Sequence, residues 1–144
     1  MGKPLGHVEL AAETGNLPML LDFARERIRG KGFDDDTAGK LELAVEEILV
    51  NVISYAYPEK PGKVRIAFSE NNANGFVIEI RDSGIPFDPL NAPEADTHSS
   101  LDDRKIGGLG IFFMRKVVDV AHYRYENGQN ILTLTIYRLY SLQF

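Results

Sequence analysis

Glu47, Asn51 and Tyr55 recur every four residues, the spacing that lines side chains along one face of a helix. At roughly 100° per residue this row borders the apolar stripe Leu41, Ala44, Val45, Ile48 and Val52, whereas Glu42 and Glu46 fall on the opposite flank. A carboxylate and a carboxamide at the margin of a core can face a cleft. There the amide oxygen of Asn51 suits Mg²⁺, a hard cation that prefers oxygen, and the carboxylate of Glu47 can polarise a nucleophile. The plainer reading is a solvated helix edge.

A second group is Asp82-Ser83-Gly84-Ile85-Pro86-Phe87-Asp88-Pro89. Phe76, Ile78 and Ile80 alternate ahead of it, and the same period of two puts Asp82 on their face. A carboxylate aimed at the apolar side needs a partner, because burying it alone is costly. An exocyclic amine such as that of adenine would satisfy it with one hydrogen bond. Gly84 removes a side chain where a flat base must approach the backbone. An ordinary turn at a strand end has the same residues.

The third group is Gly107-Gly108-Leu109-Gly110, entering a helix with Ile111, Phe112, Met114, Val117 and Val118 as apolar positions. Free amides at a glycine-rich helix start, together with the positive end of the helix dipole, make an anion site. The stretch lacks the Lys-Ser/Thr of a Walker A loop and the spacing of a Rossmann turn. Glycines required for helix packing account for it equally well. Arg104 and Lys105 precede the glycines, where a cation either pairs with phosphate or stays in solvent.

The elements that must position these groups follow from period and punctuation. His7 to Glu13 alternates weakly as a first strand. Asn16 is placed as an N-cap with Pro18 in the first turn, and Leu17, Leu20, Leu21, Ala24 and Ile28 then keep helical spacing. Asp34, Asp35, Asp36 and Thr37 supply capping groups for a second helix, roughly Asp36 to Tyr57, stopped by Pro58. Strands are expected at Lys63–Ser69 and Phe76–Arg81, a third helix from Gly107–Gly110 to about Val120, and final strands at Tyr123–Glu126 and Ile131–Leu139. Between them, Ser83 to Ile106 has no sustained periodicity, and so long a stretch in a compact domain is usually functional or mobile. The order implies an α+β fold, a two-layer sandwich of a mixed or antiparallel sheet with three helices on one face.

With 144 residues the chain has the size of one domain. A net charge of −5 and the absence of a basic stripe argue against direct nucleic-acid binding. Without cysteine there is neither disulfide nor thiolate zinc. No stretch has the length of a signal peptide's apolar core or a membrane span. Met1-Gly2 does not continue as a myristoylation signal, since Gly6 stands where Ser or Thr is expected. The cytoplasm is the expected compartment.

Taken in order, the three groups resemble the N, G1 and G2 boxes of the GHKL, or Bergerat-fold, ATPases. LELAVEEILVNVISYAY, DSGIPFDP and KIGGLGIFFMRKVVD are most similar to the versions in the anti-sigma-factor serine/threonine kinases, and the likeness covers nearly the whole chain. The resemblance implies ATP or ADP with Mg²⁺ as cofactors. It makes Glu47 the general base, Asn51 the Mg²⁺ ligand and Asp82 the partner of the adenine amine, with Gly84 beneath the ring. Lys105, Gly107, Gly108, Leu109 and Gly110 would line the phosphate site under a lid within Ser83–Ile106. It further implies transfer of phosphate to a serine of a small, STAS-like anti-sigma factor antagonist, sequestration of a sigma factor, and a homodimer. The alternative is a nucleotide-dependent protein-binding module without kinase activity. Two departures stand out: Tyr55 occupies a position where some members have His, and Gln129-Asn130 replaces a common Gly-Thr. Asn130 therefore either reaches the nucleotide or leaves that contact unmade.

Overall fold

The computed structural model describes residues 2–91 and 108–137. Among these residues five strands form one sheet: β1 (Lys3–Ala11), β2 (Lys63–Glu70), β3 (Phe76–Asp82), β4 (Val120–Glu126) and β5 (Gln129–Ile136). Their spatial order is β1-β2-β3-β5-β4, with every neighbouring pair antiparallel. Three helices, α1 (Leu17–Gly30), α2 (Asp35–Asn51) and α3 (Leu109–Val117), cover one face. The α+β two-layer sandwich expected from the sequence is therefore borne out, and the sheet is antiparallel rather than mixed.

Period explains the layers. Val64, Ile66 and Phe68 of β2 point inward with Phe76, Ile78 and Ile80 of β3 and Leu132, Leu134 and Ile136 of β5. They meet Leu20, Ala24 and Ile28 of α1, Leu41, Ala44, Val45, Ile48 and Leu49 of α2, and Ile111, Met114 and Val117 of α3 in one core cluster. Asp34 caps α2, accepting from Thr37 N at 2.7 Å with an extended backbone at ψ 163°.

Local departures have local causes. Asn16 does not cap α1; its amide donates to Ala11 O at 2.9 Å and ties the helix to the end of β1. β1 begins earlier than its weak alternation suggests, because β2 pairs with it on one side through a bulge between Pro4 and Gly6, and Gly6 has φ +121°. The α-helical part of α2 stops at Asn51, and Val52–Ala56 continues as a π turn instead of running on to Tyr57. α3 ends at Val117, and β4 starts at Val120, because the edge of β5 extends pairing to Val120↔Thr135.

Candidate functional site

A cleft of about 250 Å³ opens between α2 and the sheet. Ile48, Val52, Ala56, Ile80 and Leu132 give it apolar walls, and its few polar groups among the described residues are Asn51, Tyr55, Asp82, Tyr123 and Asn130. Apolar lining with sparse, fixed polar groups is the usual character of a small-molecule site. Tyr55, Ile85 and Phe87 stand at the cleft and are 69%, 51% and 50% exposed.

Asp82 is the last residue of β3 and, as the alternation requires, faces inward; it is 7% exposed. Its Oδ1 accepts from Gly84 N at 2.8 Å and from Asn130 Nδ2 at 2.9 Å. Its Oδ2 has no protein partner among the described residues. Burial raises the carboxyl pKa, and the bonds from Asn130 and Gly84 work against that rise. The result is a carboxyl group with one oxygen held by the fold and the other unpartnered among the described residues.

Asn130 does the holding. Its Nδ2 also donates to Ile85 O at 2.8 Å, while its Oδ1 accepts from Phe87 N at 3.0 Å and Tyr123 OH at 2.5 Å. Two donors and two acceptor positions are thus all committed. Asn130 lines the cleft, but in this arrangement its carboxamide organises the loop Ser83–Phe87 and has no bond left for a ligand. Sequence order hides this, because the contact exists only where β5 lies beside β3 and pairs Asn130 with Asp82.

Gly84 has a steric reason of its own. A Cβ there would lie 2.2 Å from Ala56 O, and Ile85 N donates to the same carbonyl at 2.9 Å. The loop after β3 is therefore pressed against the π turn that ends α2, and only a glycine permits it. Tyr57, which no sequence motif singles out, braces the other side: its hydroxyl accepts from Ser83 N at 2.7 Å and donates to Lys63 O at 2.5 Å.

Of the Glu47–Asn51–Tyr55 row, Asn51 and Tyr55 line the cleft and Glu47 does not. The Asn51 carboxamide makes no hydrogen bond among the described residues, so its oxygen is free for a hard cation. The Glu47 carboxylate accepts from Gly108 N at 2.6 Å and Gly110 N at 3.2 Å. Those amides belong to the first turn of α3 and have no intrahelical acceptor. Gly108 has φ +90°, and a Cβ on Gly110 would come within 2.4 Å of Glu47 Cβ and 2.7 Å of Leu43 O. The glycines thus serve helix packing, the plainer of their two readings, while also baring the amides that an anion would use. Leu109 is exposed beside them. Lys105 and Gly107, and most of the stretch read as a lid, lie outside the described residues.

Among the described residues no group of three or more His, Cys, Asp or Glu is placed to hold a metal. No helix among them is long and apolar enough to cross a membrane.

An antiparallel sheet backed by helices, with an inward acid at a strand end, an amide on the facing helix and a glycine-rich helix start, is the arrangement that the likeness to GHKL-type ATPase domains implies. The histidine kinase-like ATPase domain family matches residues 10–136, and the chain belongs to that family. The resemblance carried by the three boxes is thus borne out. Its relatives include a serine/threonine-protein kinase, BtrW, of Bordetella bronchiseptica, 32% identical over 96 residues, covering 66% of this chain and 67% of the relative. The serine-protein kinase RsbW of Bacillus thuringiensis is 25% identical over 105 residues, covering 70% of this chain and 65% of that protein. The chain therefore spans about two thirds of the curated relatives it matches. The fold also matches the histidine kinase domain of a blue-light activated histidine kinase from Erythrobacter litoralis, with a TM-score of 0.54 and 18% identity, covering 83% of this chain and 60% of that one.

Proposed function

We propose that this protein is a cytoplasmic regulator that binds Mg·ATP and transfers the γ-phosphate to a serine of a small anti-sigma factor antagonist, sequestering a sigma factor when that antagonist is not available. The observation that carries the reading is Asp82, buried in an apolar cleft with one oxygen fixed and one unpartnered. That oxygen suits the exocyclic amine of adenine, and the apolar walls suit the ring. The named relatives support the transfer, since both are serine or serine/threonine kinases.

Asn51 would hold Mg²⁺, which when bound neutralises charge on the phosphates. The amides of Gly108 and Gly110 would take phosphate oxygens. Glu47 would orient the incoming serine hydroxyl and accept its proton as the serine oxygen bonds to the γ-phosphorus and the bond to the bridging oxygen of ADP breaks. For this its carboxylate must leave the two amides that now occupy it. Phosphate and Glu47 thus compete for the same donors, and nucleotide binding would free the base. Positioning supplies most of the catalysis in such a transfer.

Calorimetric titration of Mg·ATP into the wild type and Asp82→Asn tests the reading. Asparagine keeps an oxygen for Gly84 and Asn130 but turns an N–H towards the amine. Loss of a hydrogen bond to a charged group costs about 1.5–3 kcal/mol, roughly ten- to a hundredfold in affinity. Wild-type protein that binds no nucleotide would overturn the reading. Labelled phosphate moving from ATP to an antagonist, and abolished in Glu47→Gln, would distinguish a kinase from a binding module. The engagement of Glu47 with α3 keeps the second reading in view: a module in which Glu47 only joins α2 to α3 would bind its partner equally well as Glu47→Gln.

A further inference from the structure

The sheet face turned away from the helices carries a second cleft, of about 440 Å³, at the end of β2 and β3. Lys60, Lys63, Arg65, Arg81, Ser83 and Gln129 line it. Four cations gather here in a chain whose net charge is −5.

Three features of this cleft favour an anion within it. Arg65 and Arg81 are direct cross-strand partners in the β2–β3 register, and like charges placed opposite one another destabilise a sheet. Arg81 is compensated, donating to Glu79 at 2.7 and 3.3 Å and to Gln129 at 3.2 Å. Arg65 is not: its Nε is shielded from solvent and has no hydrogen-bond partner among the described residues. Glu9, its neighbour on β1, also lines the cleft but forms no ion pair with it among the described residues. Lys60 and Lys63 are likewise without an ion pair among those residues. A buried donor left unmade costs about 1–3 kcal/mol, so a group that accepts from Arg65 Nε is favoured here.

We propose that this cleft is a binding site for a phosphate-type oxyanion of a small molecule, separate from the nucleotide cleft on the opposite face of the sheet. The anion accepts from Arg65 Nε, relieves the Arg65–Arg81 repulsion and draws in the free ammonium groups of Lys60 and Lys63. Ser83 and Gln129 add a hydroxyl and a carboxamide at its edge. Because Asp82 lines both clefts, the two sites are separated by little more than the end of β3.

Inorganic pyrophosphate and glycerol 3-phosphate, titrated separately into ¹⁵N-labelled protein, test the proposal. Expected is a saturable shift of the Arg65 Nε–H resonance that persists in saturating ADP. Tighter binding of the monoester assigns an organic phosphate, and tighter binding of pyrophosphate an inorganic polyphosphate. Calorimetry should show binding weakened at least tenfold in Arg65→Gln and severalfold in Lys63→Gln, whose side chain is exposed and whose fold is therefore safe. ADP affinity should stay within twofold of wild type in both. Displacement of either probe by ADP, undiminished binding in both variants, or no saturable shift would overturn the proposal.

Discussion

Asp82 is held under two opposing demands. Burial favours its neutral form, while Gly84 and Asn130 donate to it as a carboxylate. Burial dominates, so the folded chain keeps this proton to higher pH than the unfolded chain, whose Asp titrates at about 3.9. The sign of the consequence is fixed by linkage. The group costs stability once it is ionised in both states, and the cost fades as pH falls through the raised folded value. Asp82→Asn should therefore match or exceed wild-type stability at neutral pH in urea unfolding, with the difference shrinking on acidification, even as it loses nucleotide. Wild-type affinity for ATP should decline on acidification at a pH above the ordinary aspartate range, because a protonated Oδ2 no longer accepts from an amine. Asn130→Ala acts in the other direction. It strips partners from Asp82, Ile85 O, Phe87 N and Tyr123 OH, at about 1–3 kcal/mol for each buried group left unpaired. A lowered urea midpoint with weakened ATP binding is the expected pair of results.

At the level of elements, two glycines set how closely backbones approach. Alanine at Gly110 would gain about 1 kcal/mol of helix propensity, yet its Cβ would stand 2.7 Å from Leu43 O. Overpacking against backbone costs about 1–3 kcal/mol, so the clash wins and Gly110→Ala should lower the thermal midpoint. Gly84→Ala meets the carbonyl of Ala56 at 2.2 Å and should cost at least as much, with loss of nucleotide binding, because the loop carrying Ile85 and Phe87 must move. The alternation of β3 made the inward turn of Asp82 readable, and helical spacing put Asn51 on the flank of α2 that lines the cleft. The π turn was not readable: an i→i+5 bond leaves no residue pattern, and Pro58 suggested only that the helix ends before it. That turn brings Ala56 against Gly84, so the close fit behind the cleft escaped a reading based on local period.

On the largest scale, one apolar cluster among the described residues joins α1, α2 and α3 to the sheet, and the cleft is a gap at its margin rather than a separate construction. Leu41→Ala, at a fully buried position in the core cluster, should cost about 2–5 kcal/mol, a large part of the roughly 5–15 kcal/mol typical of a domain. Chemical denaturation would show it as a lower midpoint with an unchanged slope. The layers, the strand count and the three boxes were legible because each rests on neighbours in sequence. The Asn130 network, the Tyr57 brace and the cationic cleft were not, because each depends on which strands lie side by side, a fact that strand order alone settles.

Strand order also gives the cleft a history. β5 is inserted between β3 and β4 although it follows both in the chain, and Asn130 trails Asp82 by 48 residues. At a synthesis rate of about 5–20 residues per second, that separation is roughly 2–10 s. Throughout that interval β3 has one bare edge, and Ile78 and Ile80 lack the Leu134 and Leu132 they later face. A nascent chain is therefore a sticky, half-finished sheet before it has a pocket at all. The residues that would recognise a ligand are assembled only when β5 closes the gap.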